Sequence, residues 1–215
     1  KDGMITMEAT VLDMSWKQVN TIDLPADIFG VEVNVGLMHQ AYVRQMANAR
    51  QGNHKTLTRS EVRLTKAKRY RQKAIGRARH GAKSAPIFVG GGRAHGPRPR
   101  KYTKAMPKKM RRKAIRCALS ALARDEQLVF VDTLEQTAPK TKEMSKTIEA
   151  LTGGSSALVL IGAANENVER SVSNLPNAKY LRANYLNIRD LLQYDKVIVP
   201  MDALEVIQGI WGTEE

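Results

Sequence analysis

The chain has 215 residues, one cysteine and a formal net charge of +14, from 35 Lys and Arg against 21 Asp and Glu. A single cysteine excludes an intrachain disulfide and a cysteine-based metal cluster, and it fits a reducing, cytosolic compartment. No apolar run approaches the roughly 20 residues a membrane-spanning helix needs, and the start KDGMITMEATVL lacks the basic-then-apolar layout of a secretion signal.

Residues 7–12 and 19–24 predict short strands. A helix is predicted over 34–50, where Met38, Tyr42, Met46 and Ala49 recur at three-to-four-residue spacing along one face. The character then changes. Over 52–106 no period of either kind is sustained, and apart from Ala only ten of the 55 residues are apolar, scattered among 16 cations. Such a stretch cannot make a core, and alone in water it should be largely disordered. Structureless loops beyond about 15 residues are generally functional or linkers. With both arms fully extended, the tip would reach at most about 90 Å from the body, at roughly 3.3 Å per residue.

Pro107 restarts regular structure at a first helical position. In PKKMRRKAIRCALSALARDE the apolar face is Met110, Ala114, Cys117, Ala121 and Leu122, and Lys108, Lys109, Arg111, Arg112 and Lys113 crowd the first turns. Cations at a helix N-terminus oppose the helix dipole, and a bound phosphate would reconcile both. Beyond it, apolar runs alternate with helical segments. The runs are LVFV at 128–131, ALVLI at 157–161, a short strand at 179–182 and VIV at 197–199; the helices fall at 140–151, 165–174, 188–193 and 202–210. This alternation predicts an α/β fold: an open, mostly parallel, Rossmann-like sheet with helices on both faces. Residues 1–51 and 107–215 are expected to form one globular domain, with 52–106 inserted as an extended basic loop.

The charge is segregated. Twenty-four of the 35 cations lie between Arg44 and Arg116, a window of 73 residues whose sole acid is Glu61. The window carries +23 and the remainder −9. Like charges repel, so folding alone does not account for this; a polyanionic partner does. Within KAKRYRQKAIGRARHGAKSAPIFVGGGRAHGPRPRKY, Arg and Lys alternate with small residues that let a backbone come close to phosphates. Tyr70, Phe88 and Tyr102 are candidates to stack on unpaired bases. The bland readings, a solvated charge run or a localisation patch, fit less well, because the density continues into the following helix.

Signals of catalysis are weak. Gly90, Gly91 and Gly92 follow no strand–turn–helix unit, and neither GxxxxGK[ST] nor GxGxxG occurs. Gly162 follows the ALVLI strand, where a doubly wound sheet would bind a ligand; without companion glycines it reads as a strand-ending turn. His39, His54, His80 and His95 lack metal-ligand spacing. His39 reads as structural, and His80 and His95 as RNA or water contacts. Cys117, on an apolar helix face, reads as core, and Asp125-Glu126 as a solvated turn. No acid–base pair, metal site or cofactor motif emerges.

ARQGNHKTLTRSEV (49–62), YRQKAIGRARHG (70–81), SAPIFVGGGRAHGPRPRKY (84–102) and PKKMRRKAIRCALS (107–120) together resemble the large-subunit ribosomal protein four family, bacterial type. APKTK (138–142) and NIRDLLQYDKVIVPMDALEVI (187–207) are similar to the same family, so the resemblance spans nearly the whole chain. It implies a globular α/β domain on the solvent side of the large subunit and a loop threading through large-subunit (23S-type) ribosomal RNA to the narrow part of the nascent-peptide exit tunnel. On this chain the tip would be Tyr70, Arg71, Gln72, Lys73 and Arg77. The flanking RNA contacts would be Arg59, Lys66, Lys68, Arg69, Arg79, Lys83, Arg93, Arg98 and Arg100. The same cationic and aromatic surface takes in Arg44, Arg50, Lys55, Arg63, His80, Phe88, His95, Lys101, Tyr102, Lys104, Lys108, Lys109, Arg111, Arg112 and Arg116. The chain departs from the family pattern at the tip. LTKAK and Arg69-Tyr70 stand for a glycine-rich run and Pro-Trp, Ala74-Ile75-Gly76 for Gly-Thr-Gly, Phe88 for Trp and His95 for Phe. These changes keep charge and aromatic character and stiffen the tip.

The function expected is therefore structural: ribosomal RNA binding, support of early assembly, and a tip at the tunnel constriction. The expected partners are ribosomal RNA, neighbouring ribosomal proteins and the nascent peptide, with no membrane and no homo-oligomer, and the expected location is the cytoplasmic ribosome. Two rivals are a regulator that binds messenger RNA through the same basic surface and, much less favoured, a nucleotide-dependent enzyme built on the Rossmann-like body.

Overall fold

A computed structural model describes residues 7–212; residues 1–6, read above for a signal layout, lie outside them. The chain divides into two compact units. One comprises the residues up to Gln45 and from Ala105 on, the other Met46–Lys104.

The first unit is built on a six-stranded sheet. Strands β1 (Met7–Leu12) and β2 (Gln18–Leu24) form an antiparallel hairpin, closed by Asp13 N–H donating to the Lys17 carbonyl at 2.8 Å. After them come helices α1 (Ala26–Phe29), α2 (Val35–Asn48) and α3 (Lys108–Arg124). Then β3 (Leu128–Val131), α4 (Thr141–Thr152), β4 (Ala157–Ile161), α5 (Glu166–Ser173) and β5 (Ala178–Arg182) follow in alternation. A 3-10 turn (Ala183–Tyr185), α6 (Ile188–Gln193), β6 (Lys196–Pro200) and α7 (Met201–Trp211) complete the chain. The strand order is β2-β1-β3-β6-β4-β5, and every pairing except β1–β2 is parallel.

The apolar runs form strands because both sheet faces are covered. Phe130, Leu158, Leu160, Val197 and Val199 point into one core, and Val129, Val131, Val159, Ile161 and Ile198 into the other. That is the period of two expected of a strand. The first core is closed by α1, α3, α6, α7 and the early turns of α2, the second by α4 and α5. Local signals set the helix ends. Asn165 and Asn187 accept from the backbone N–H groups of Val168 and Asp190, and α4 ends at Gly153 in the left-handed conformation, with φ 64°. Asp190, 4% exposed, is held by Lys179 Nζ at 2.7 Å and Asn187 Nδ2 at 2.9 Å.

Two expectations need correction. The buried face of α2 is Met38 and Ala41; Tyr42, Met46 and Ala49 are exposed, because only the early turns of α2 lie on the core. His39 is exposed, not structural. The short α1 and the 3-10 turn were not foreseen, since four or three residues are too few to show a period.

Within Met46–Lys104, the segment beyond α2 carries no helix and no strand, only one antiparallel bridge between Lys68 and Ala82. Its backbone is nonetheless paired. Arg100 N–H donates to Gly52 O at 3.2 Å, Thr56 N–H to Pro97 O at 3.1 Å and Arg93 N–H to Leu57 O at 2.8 Å. Further along, Arg69 N–H donates to Gly81 O at 3.0 Å. An outgoing arm thus runs beside a returning one.

Candidate nucleic-acid interface

The paired arms put almost every cation on the outside. Arg50, Lys55, Arg59, Arg63, Lys66, Lys68, Arg69, Arg71, Lys73, Arg77, Arg79, Lys83, Arg93, Arg98, Arg100, Lys101 and Lys104 are all exposed, as are Gln72 and His95. Close approach of the arms requires glycine. A Cβ on Gly92 would come within 2.3 Å of the Arg59 nitrogen and 2.5 Å of the Thr58 carbonyl carbon. Gly91, whose Cβ would lie 2.1 Å from the Ala85 carbonyl oxygen, and Gly92 therefore serve the chain's own packing. Glu61, the only acid of the window, pairs with Lys55 at 3.2 Å. It also accepts from Thr58 N–H and Thr58 Oγ, each at 2.9 Å. These bonds, with Lys55 beside it, hold its carboxyl down to about 2 from an ordinary 4.5.

Tyr70, Phe88 and Tyr102 are half-buried, and the rings of Phe88 and Tyr102 carry guanidinium groups. The Arg50 guanidinium lies 3.7 Å from the Tyr102 ring centre and Arg100 lies 4.5 Å from it. Arg69 sits 4.7 Å over Phe88, whose edge also meets His80. His80 in turn meets Tyr70 edge-on, and the Tyr70 hydroxyl donates to Ala78 O at 2.7 Å. This small cluster closes the base of the turn 71–79, every residue of which is exposed. Arg71, Gln72, Lys73 and Arg77 thus share one projecting turn, with Gln72 accepting from Lys68 Nζ. Ala74 bends it with φ 68°, a left-handed conformation glycine would take without steric cost.

In the other unit, α3 begins at Lys108 with no side-chain cap and no acid in its first turn. Lys108, Lys109 and Arg111 are exposed, and Arg112 and Arg116 half-buried. A cavity of about 400 Å³ lies here, lined by Ala41, Arg44 and Gln45 of α2, Lys108, Arg111, Arg112 and Ile115 of α3, Leu186, Asn187 and Ile188, and Ile210 and Trp211 of α7. Three donor atoms, Arg44 Nε, Arg116 Nε and Trp211 Nε1, are buried without an acceptor. An unanswered buried donor costs about 1–3 kcal/mol, and two of the three belong to residues lining this cavity.

Comparison with known proteins decides the family. The model of the ribosomal protein L4/L1 family matches residues 22–210. The chain belongs to this family. It is 42% identical over 205 residues to the large ribosomal subunit protein uL4 of Thermoanaerobacter sp. (strain X514), covering 95% of this chain and 99% of that one. It is 43% identical over 202 residues to the uL4 of Desulforudis audaxviator, covering 94% and 98%. The uL4 of Dehalococcoides mccartyi (strain CBDB1) is 42% identical over 206 residues, covering 96% and 98%.

The family match takes in both units. A Cβ on Gly162 would lie 2.8 Å from the Asp202 carbonyl carbon and Oδ2, so the sheet end is closed there by α7. Cys117 is fully buried, its Sγ donating to Glu32 O at 3.4 Å. Among the described residues no group of three His, Cys, Asp or Glu is placed to hold a metal. Sequence reasoning missed Gln45, Asn187 and Trp211 as cavity residues. Only the Trp near the end of an apolar helix offered a signal.

Proposed function

We propose that this chain is a structural, non-catalytic component of the large ribosomal subunit in the cytoplasm, binding large-subunit ribosomal RNA and supporting early assembly. The observation that carries the reading is the window from Arg44 to Arg116. It holds 24 cations and one acid, and that acid is already spent on Lys55. The surplus of exposed guanidinium and ammonium groups calls for phosphates. The body is read as Rossmann-like, one domain over 1–51 and 107–215. Residues 52–106 are read as the loop that threads the RNA, and Arg71, Gln72, Lys73 and Arg77 as the tip that meets the nascent peptide at the tunnel constriction. Tyr70, Phe88 and Tyr102 would exchange a guanidinium or imidazole neighbour for a base. Neighbouring ribosomal proteins are the further partners, and the chain acts as one copy.

The test is sedimentation of a native lysate through sucrose at low and high salt, with and without RNase. Co-migration with the large subunit that survives a moderate salt wash and collapses with RNase is expected. Migration as a free small protein at low salt, indifferent to RNase, would overturn the reading.

A further inference from the structure

We infer that the cavity between α2, α3 and α7 is a receptor for one unstacked RNA nucleotide, with its phosphate on the cations and its base against Trp211. The inference rests on the RNA-binding reading and makes it local. Arg44, Lys108, Arg111 and Arg112 contribute four positive charges to the lining, with no acid among the lining residues. Ile210 and Trp211 belong to its apolar wall. A volume of about 400 Å³ lies in the range that holds a small ligand.

The hydrogen-bonding inventory narrows the occupant. Arg44 Nε and Trp211 Nε1 are buried donors with no acceptor. The two amide side chains of the lining already have partners. Gln45 Oε1 accepts from Arg189 N–H at 3.3 Å, and Asn187 Oδ1 accepts from Gln45 Nε2 at 2.9 Å and Asp190 N–H at 3.0 Å. With the cationic donors of Arg44, Lys108, Arg111 and Arg112 in its lining and its amide oxygens already engaged, the cavity is rich in donors and poor in acceptors. A peptide brings a backbone donor for nearly every carbonyl, so it fits badly. A phosphodiester brings acceptors only. Inorganic phosphate would answer the cations but leave the Trp211 wall wet, whereas a nucleotide also supplies a flat apolar face.

The test uses full-length protein carrying Trp16→Phe, so that Trp211 is the sole tryptophan, titrated with purified large-subunit RNA. RNA should quench Trp211 emission with the midpoint found by filter binding. Trp211→Leu should weaken binding about tenfold with an unchanged salt slope, since stacking releases no counterions. Trp211→Phe, which keeps a ring, should fall between the two. Arg112→Ala should weaken binding and reduce the log–log salt slope by about 0.7, the share of one phosphate. If RNA binds but Trp211 emission stays constant and all three variants match the parent, the nucleotide cavity is refuted and the RNA-binding reading stands. If the parent binds no RNA, the broader reading fails and the cavity with it. Quenching by a Glu-rich peptide as strong as that by RNA would assign the cavity to an acidic peptide and overturn the proposal.

Discussion

Ser120 Oγ donates to the Ile28 carbonyl at 2.9 Å and accepts from Val31 N–H at 3.0 Å, tying the middle of α3 to both sides of the α1 terminus. The hydroxyl is 4% exposed, so water cannot replace it. Ser120→Ala should lower unfolding free energy by about 1–3 kcal/mol, the cost of leaving buried partners unanswered. Urea unfolding checks this, and an unchanged midpoint would show that the bridge contributes nothing.

Gly92 is one of the tight points between the arms, where an added Cβ would meet backbone on the outgoing arm at 2.3 Å. Gly92→Ala would drive a methyl group into the Thr58–Arg59 backbone and should break the neighbouring Arg93 N–H to Leu57 O bond. Amide exchange at Arg93 should accelerate at least about tenfold while the α3 core amides keep their protection. Equal exchange at Arg93 in variant and parent would mean that the arms accommodate the methyl.

Glu61 makes the turn at Thr58 sensitive to acid. Because its folded value is depressed, its contribution is fully present above pH 4.5 and fades as pH falls toward about 2. Following the Glu61 carboxyl carbon by NMR should place the midpoint near 2 in the parent. In Thr58→Val the midpoint should rise only part of the way toward 4.5, because the hydroxyl bond is lost while the Thr58 N–H bond, the largest cause, and Lys55 remain. A parent midpoint at 4.5 would dissolve the argument.

Lys73 stands in the exposed turn 71–79, far in sequence from α3. On the proposed function, Lys73→Glu should perturb the tunnel tip while leaving subunit yield nearly intact, since it alters one of 24 cations in the window. Gradient profiles together with a nascent-chain stalling assay separate the two effects. A complete block in subunit assembly would contradict it.

Much of the fold was legible because its signals are local. LVFV, ALVLI and VIV are apolar on both faces, and only a sheet covered on both sides can bury such runs. Met144, Ile148 and Leu151, and likewise Val168 and Val172, keep the helical spacing that lays them on the second core. The buried face of α2 was misread because periodicity reports what a helix could bury, not how many of its turns meet a core.

The amino-acid sequence by itself determined the segregation of charge, the α/β alternation and the family, since all three are written in residue order. Tertiary structure alone decided which small residues serve the chain's own packing. Gly92 was open to any close approach until Arg59 was found against it. It alone decided that the rings of Tyr102 and Phe88 carry guanidinium groups, because Arg50 and Tyr102 are remote along the chain and meet only when the arms pair. It alone brought Arg44, Arg112 and Trp211 around one cavity. Charge and period are properties of neighbours in sequence; an unanswered donor is a property of neighbours in space.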